Sequence, residues 1–144
     1  MRSSSYTHNA TVLSRLPKLV TINSAMEVDL TGQVNAEQSG AQYLGGTGGQ
    51  VDYVSAGSRS AGGRSLMVLP ATAKGGKISR IVAALSGPVT TARSDVDVII
   101  TEFGAAELKG RTLAERARRL VALAHPDFRE ELDRAAHAIK QRGF

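Results

Sequence analysis

Residues 45–50 read GGTGGQ and run on into VDYVSAG. Glycine loses more backbone freedom on folding than any other residue. Four in six positions therefore mark a backbone with unusual torsions, or one that comes very close to another group. No Lys-Ser or Lys-Thr follows, so the stretch is not a Walker-type phosphate loop, and its spacing is not that of the dinucleotide fingerprint. Two readings stand. One is a tight turn packed against a neighbouring strand. The other is a loop whose free N–H groups face an oxygen, because a helix beginning near Gly49 leaves its first N–H groups unpaired and receptive to negative charge. Such donors hold a phosphate, or they stabilise charge developing on a carbonyl oxygen.

Two more glycine-rich stretches follow. SAGGRS (60–65) leads into a strand, and AKGGKISR (73–80) carries Lys74, Lys77 and Arg80 around a turn. Three cations so close together suit a ligand with several phosphates; they equally suit an exposed β-turn whose lysines are simply solvated. No cysteine is present, which removes disulfides and thiolate metal sites. His8, His125 and His137 are far apart, with no pair at metal-ligand spacing, so no metal site is expected.

The surrounding composition limits what these loops can serve. A chain of 144 residues suits one domain with one core. Aromatic residues are only 4% and Trp is absent, which leaves little for a base-stacking platform. The 18 Lys+Arg against 13 Asp+Glu give a formal charge of +5, and this favours an anionic partner. That charge is the sole support for one alternative, a non-catalytic basic nucleotide- or nucleic-acid-binding module; no recognition motif accompanies it. No apolar run approaches the roughly 18–20 residues that span a bilayer. The opening MRSSSYTHNATVL has no apolar segment of the secretory kind, so a cytoplasmic protein without membrane contact is expected.

The elements that position these loops fall into two groups. Up to about residue 103, short apolar runs alternate with glycine-rich joints. LVTIN (19–23), SLMVLP (65–70), ISRIVAAL (78–85) and VDVIIT (96–101) read as strands, the more continuous ones buried on both faces. Short helices are expected over Thr11–Leu16 and, after the glycine loop, over Val51–Ala56. The last third changes period. Thr112 to Glu115 is a T-x-x-E capping box, and Leu113, Ala117, Leu120, Val121 and Ala124 then share one helical face. A second helix starts near Pro126, with Phe128, Leu132, Ala136 and Ile139 as its apolar stripe and Gly143 as its stop. These features predict an α/β domain closed by a C-terminal helical hairpin.

Taken in order, several stretches resemble a known family: INSAMEVDLTGQVNAE (22–37), GGTGGQVDYVSAG (45–57), GGRSLMVLPATAKGGKISRIV (62–82) and VTTARSDVDVIITEFGAAELKGRTLAERARRLVALAHPDFREEL (89–132). The resemblance is to the C-terminal domain of the acetyl-CoA hydrolase/transferase family, and it runs from about Tyr6 to about Ala136. It implies one such domain over residues 1–144, with the CoA-transferase-type α/β fold, a mainly parallel sheet with flanking helices. It implies acyl-CoA thioesters and small carboxylates as substrates, with coenzyme A entering as a thioester rather than as a tightly bound cofactor. In that chemistry a glutamate carboxylate attacks the thioester and carries the acyl and CoA groups in turn, which is covalent catalysis.

The resemblance also implies roles for particular residues. The backbone N–H of Gly48 or Gly49 would face the thioester oxygen, and Asn9 would assist. Lys74, Lys77 and Arg80 would meet the phosphates of CoA. The family's nucleophilic glutamate lies upstream of the matched motifs, so an N-terminal half of the same enzyme is the expected partner, together with self-association. Glu27 and Glu102 belong to other family motifs and are expected to order neighbouring loops through hydrogen bonds; Glu37 is likewise not taken as the nucleophile.

Overall fold

In a computed structural model, which describes residues 1–142, the apolar runs at 19–23, 65–70 and 96–101 supply the parallel strands of a four-stranded sheet. The chain begins with two single-turn helices, α1 (Ser4–Thr7) and α2 (Ala10–Leu13). Five strands follow: β1 (Val20–Ser24), β2 (Glu27–Asp29), β3 (Val34–Asn35), β4 (Gln38–Ser39) and β5 (Gln42–Tyr43). Helix α3 (Gln50–Arg59) comes after the glycine loop. Then come β6 (Arg64–Val68), β7 (Thr72–Ala73), β8 (Ile78–Ser79), β9 (Ile81–Val82), β10 (Val98–Thr101) and β11 (Gly104–Glu107). Helices α4 (Leu113–Leu123) and α5 (Pro126–Arg142) close the domain. Gly143, read as the stop of the last helix, lies outside the described residues.

The main sheet has the order β1-β6-β10-β11, parallel across β1, β6 and β10 and antiparallel at β11. A three-stranded sheet, β3-β2-β9, stands beside it, and β4–β5 and β7–β8 are small hairpins. The run at 78–85, expected as one strand, is divided at Arg80. Its N–H donates to the Ala71 carbonyl, and its own carbonyl accepts from Val28, so β8 pairs with β7 and β9 with β2. The first helical run is shorter than expected and begins one residue earlier. Asn9 caps it, and Pro17 disfavours helical torsions in the residue before it.

Side chains alternate across the main sheet. Ile22, Leu66 and Val98 are in register on one face; Asn23, Met67 and Ile99 are in register on the other. Helices α3 and α4 pack on the second face. Gly57 of α3 sits where a Cβ would be 2.7 Å from Thr21 Oγ1 and 2.8 Å from the Arg64 carbonyl, so glycine lets this helix lie directly on β1 and β6. Thr101 Oγ1 donates to the Leu123 carbonyl at 2.8 Å and joins α4 to the same layer. On the first face Val20 is 53% exposed and Ile22 69%, a large apolar exposure for a parallel sheet.

The C-terminal hairpin is set by its capping chemistry. Thr112 Oγ1 accepts from the Glu115 N–H, and Glu115 Oε2 accepts from the Thr112 N–H at 2.9 Å. Those hydrogen bonds, the backbone one first, hold the Glu115 carboxyl below its ordinary pKa. Leu120, Leu123 and Ala124 enter the core, with Leu132 of α5 beside them.

Arg116 also turns inward. It donates to the carbonyls of Arg93 at 2.5 Å, Arg111 at 3.2 Å and Thr31 at 3.5 Å. Burial, assisted by the charge of Arg93, lowers its pKa from the ordinary guanidinium value. The side chain therefore ties three loops to α4. Replacing Arg116 with Leu leaves those carbonyls unpaired and is expected to cost roughly 3 kcal/mol in urea unfolding. Arg116→Lys should recover little, because an ammonium cannot reproduce the planar fork. An unchanged midpoint in Arg116→Leu would contradict this account.

Candidate functional site

The two central glycines of the loop are glycine for different reasons. Gly48 has φ +54, a left-handed torsion, and a Cβ there would meet nothing within 4 Å. Its backbone is open to solvent. Gly49 is the N-cap of α3, and a Cβ there would lie 2.6 Å from His8 Nε2 and closer still to Cδ2. The group that approaches this backbone so closely is thus an imidazole of the same chain. His8 is held by its neighbours: Nδ1 lies 3.2 Å from the Ser4 carbonyl, and the ring meets Tyr53 edge-on with centroids 5.3 Å apart.

Helix α3 starts where the loop ends. Gln50 N–H donates to Thr47 at 3.2 Å, and Tyr53 N–H donates to Gly49 at 3.1 Å. Among the described residues, the N–H groups of Gly48 and Gly49 make no hydrogen bond. Both therefore remain available at the positive end of the helix. Contact of His8 with Gly49 also brings the Asn9 segment against the loop. Asn9 Oδ1 caps α2, accepting from Thr11 N–H at 2.9 Å and Val12 N–H at 3.2 Å, and its Nδ2 donates to none of the described residues. Asn9 and Gly48 are exposed and Gly49 is half-buried against His8.

The three cations separate. Lys74 (φ 50) and Lys77 are exposed around the β7–β8 turn. Arg80 is half-buried, and its guanidinium donates to the Ala25 carbonyl at 3.2 Å beyond the end of β1. Lys77 also borders a groove of about 360 Å³ between β8–β9 and α5, with Ile78, Ile81, Phe128 and Leu132 along it.

The glutamates in the family motifs accept hydrogen bonds from nearby loops. Glu27 Oε1 takes the N–H of Ser86 at 2.6 Å, that of Gly87 at 3.2 Å and the amide of Asn35 at 3.0 Å. Glu27 begins β2, and the loop segment it orders is 86–87. Glu102 Oε2 accepts from Ala71 N–H at 2.8 Å. Glu37 is 8% exposed and accepts from Tyr43 OH and from Thr90 Oγ1, both at 2.9 Å. The hydrogen bond to Glu37, followed by desolvation, raises the pKa of the Tyr43 hydroxyl.

The family model for the acetyl-CoA hydrolase/transferase C-terminal domain matches residues 1–136. The chain belongs to this family. It is 46% identical over 129 residues to a 4-hydroxybutyrate coenzyme A transferase of Clostridium kluyveri, covering 88% of this chain and 30% of that protein. The crystal structure of RipA from Yersinia pestis superimposes with a TM-score of 0.87 at 44% identity, over 92% of this chain and 30% of that one. A 4-hydroxybutyrate CoA-transferase of Porphyromonas gingivalis superimposes with a TM-score of 0.76 at 42% identity, over 95% and 30%. The chain therefore corresponds to the C-terminal domain of the family's fold and spans about 30% of the length of these relatives.

Several residues around the loop carry no signal in the sequence alone. Gln50, Thr90 and Thr91 lie within the matched motifs but no role attaches to them from sequence, and only the fold brings His8, Thr90 and Thr91 to the loop. The contact at Gly49 can be tested directly. Gly49→Ala is expected to destabilise the chain by about 1–3 kcal/mol through overpacking, and His8→Ala placed in that variant should recover most of the loss in thermal unfolding. Additive losses would show that the imidazole does not set the identity of residue 49.

Proposed function

We propose that this domain supplies the carbonyl-oxygen site of an acyl-CoA:carboxylate CoA-transferase or acyl-CoA hydrolase. The observation that carries the reading is the pair of unpaired N–H groups at Gly48 and Gly49, at the start of α3, in a family of thioester chemistry. Charge favours the carbonyl over the phosphate as the oxygen at this loop. No Lys or Arg occurs from residue 19 to 58, whereas Glu27, Asp29, Glu37 and Asp52 do. A permanent phosphate dianion would find no counter-charge in that segment. A thioester carbonyl enters neutral and gains charge only as the carboxylate adds, when aligned donors stabilise it most.

In this mechanism a glutamate outside these 144 residues attacks the thioester carbonyl, and the CoA thiolate leaves a mixed anhydride. The thiolate then attacks the glutamyl carbonyl, releasing the acyl group as its carboxylate and forming an enzyme–CoA thioester. A second carboxylate, or water, takes over from there. Gly48 or Gly49 donates to the oxyanion of each addition, and the free Nδ2 of Asn9 assists. Lys74, Lys77 and Arg80 meet the CoA phosphates, the two exposed lysines carrying most of that attraction.

The exposed part of the first face, along β1 and the end of β6, supports a partner. Val20, Ile22 and Val68 are exposed there, and parallel sheets are normally covered on both sides. The preceding part of a family-length chain provides the cover, whether joined or as a separate subunit. Without it, the same apolar face promotes self-association.

An acyl-CoA assay with acetate, and separately with water, tests the assignment. The chain alone is expected to turn over negligibly; adding the N-terminal portion should restore activity. Lys74→Ala with Lys77→Ala should then weaken CoA affinity in the complete enzyme. Turnover by the lone chain would place the nucleophile within it and overturn the scheme.

A further inference from the structure

The exposed glycine loop is tied to the domain at both ends by two adjacent hydroxyls. Residues 41–48 are all exposed, so the segment has little packing of its own. At the incoming end, Leu44 N–H donates to the Glu37 carbonyl at 2.7 Å, and Tyr43 OH donates to Glu37 Oε2 at 2.9 Å. Thr90 Oγ1 holds that carboxylate through Oε1 at 2.9 Å and accepts from Ala36 N–H at 2.8 Å. At the outgoing end, Gln50 Nε2 donates to Thr91 Oγ1 at 3.0 Å.

The hydroxyls are themselves fixed. Thr90 is 5% and Thr91 1% exposed. Both N–H groups donate to the Val34 carbonyl, at 2.8 and 3.1 Å, while Val34 N–H donates to the Thr91 carbonyl at 3.0 Å. Two consecutive residues on one buried bridge therefore set where the loop enters and where α3 begins.

We propose that Thr90 and Thr91 are positioning residues for the reaction. They hold the N–H groups of Gly48 and Gly49 in place through Glu37 and Gln50, without touching substrate. This role rests on the reading of the loop as a carbonyl-oxygen site. It adds that the aim of the donors is fixed within this domain and does not await a partner. A loop without these ties samples many directions, and donors that must reorganise lose much of their effect on a developing charge.

Amide hydrogen exchange on the full chain, resolved over residues 44–50, tests the proposal. Thr91→Val keeps the shape and removes the acceptor. Exchange at the Gln50 N–H, which is bonded to the Thr47 carbonyl at 3.2 Å, is expected to rise about fivefold, the weight of one neutral hydrogen bond. Thr91→Ser retains the hydroxyl and should stay near the parent. Gln50→Leu should match Thr91→Val, and the double variant should add little beyond either, as for two halves of one interaction. Three results would overturn the proposal: unchanged exchange in Thr91→Val, an equal rise in Thr91→Ser, or an equal rise throughout β6 and α4. The last would mark a merely structural residue. Thioester turnover by the parent with its N-terminal portion separately tests the loop's assignment, so either idea can fail alone.

Discussion

The buried amide of Asn35 fixes the arrangement around the site. Its side chain is fully enclosed and uses its whole hydrogen-bonding capacity. Oδ1 accepts from the N–H groups of Glu37 and Gln38, at 3.0 and 3.1 Å, and Nδ2 donates to Glu27 Oε1 at 3.0 Å and to the Gln38 carbonyl at 2.8 Å. Glu27 thereby gains one donor from Asn35 and others from Ser86 and Gly87. One amide thus links the turn after β3 to the segment that carries Thr90 and Thr91. A buried polar cluster tolerates few alternative geometries, because a partly satisfied one is costly. The glycine loop inherits its position from that cluster.

The second constraint is the close seat of α3 on the main sheet. Gly57 removes the side chain that would keep the helix away from Thr21, and Gln50 at the other end reaches Met67 Sδ at 3.9 Å. The helix axis is therefore held at its last turn by packing and at its first by polar contacts. The start of α3 is where its free N–H groups point, so the sheet determines their direction as much as the loop does. The opposite face of the same sheet carries Ile22 and Val20 without helical cover.

What could be read from the sequence depended on whether the signal was local. The strands at 20–24, 64–68 and 98–101 and the Thr112–Glu115 box announce themselves by β-branched runs and by capping chemistry. The glycine cluster also stood out, because its torsions are written in residue type. The family's motifs extended that reading to the domain as a whole. The division of 78–85 at Arg80 was not legible, since a change of pairing partner leaves no mark on hydropathy. Nor was the reason for Gly49. Its neighbour His8 lies forty-one positions earlier in the chain, and nothing in either segment names the other. The Thr90–Glu37 and Thr91–Gln50 pairs failed to register for the same reason. Each joins residues of ordinary type across a long separation, and only the closed fold makes them neighbours.

These long-range ties bear on how the domain divides labour with the rest of a family-length chain. Backbone donors gain most when they do not move at all. In this chain the donors stand on a helix packed against a sheet and a loop tied to a buried bridge, and their segment carries no cation from residue 19 to 58. Backbone donors with no cation beside them bind a neutral thioester weakly and its charged adduct strongly, which is the difference that speeds a reaction. A lysine beside Gly48 would bind carboxylates and phosphates in the ground state as well. It would thereby hold the free acids that the reaction must release. Under the proposed assignment, Lys74 and Lys77 stand on a turn separate from the glycine loop, whose own segment carries no lysine or arginine, so the charge that suits a permanent anion is kept off the donors proposed for a transient one.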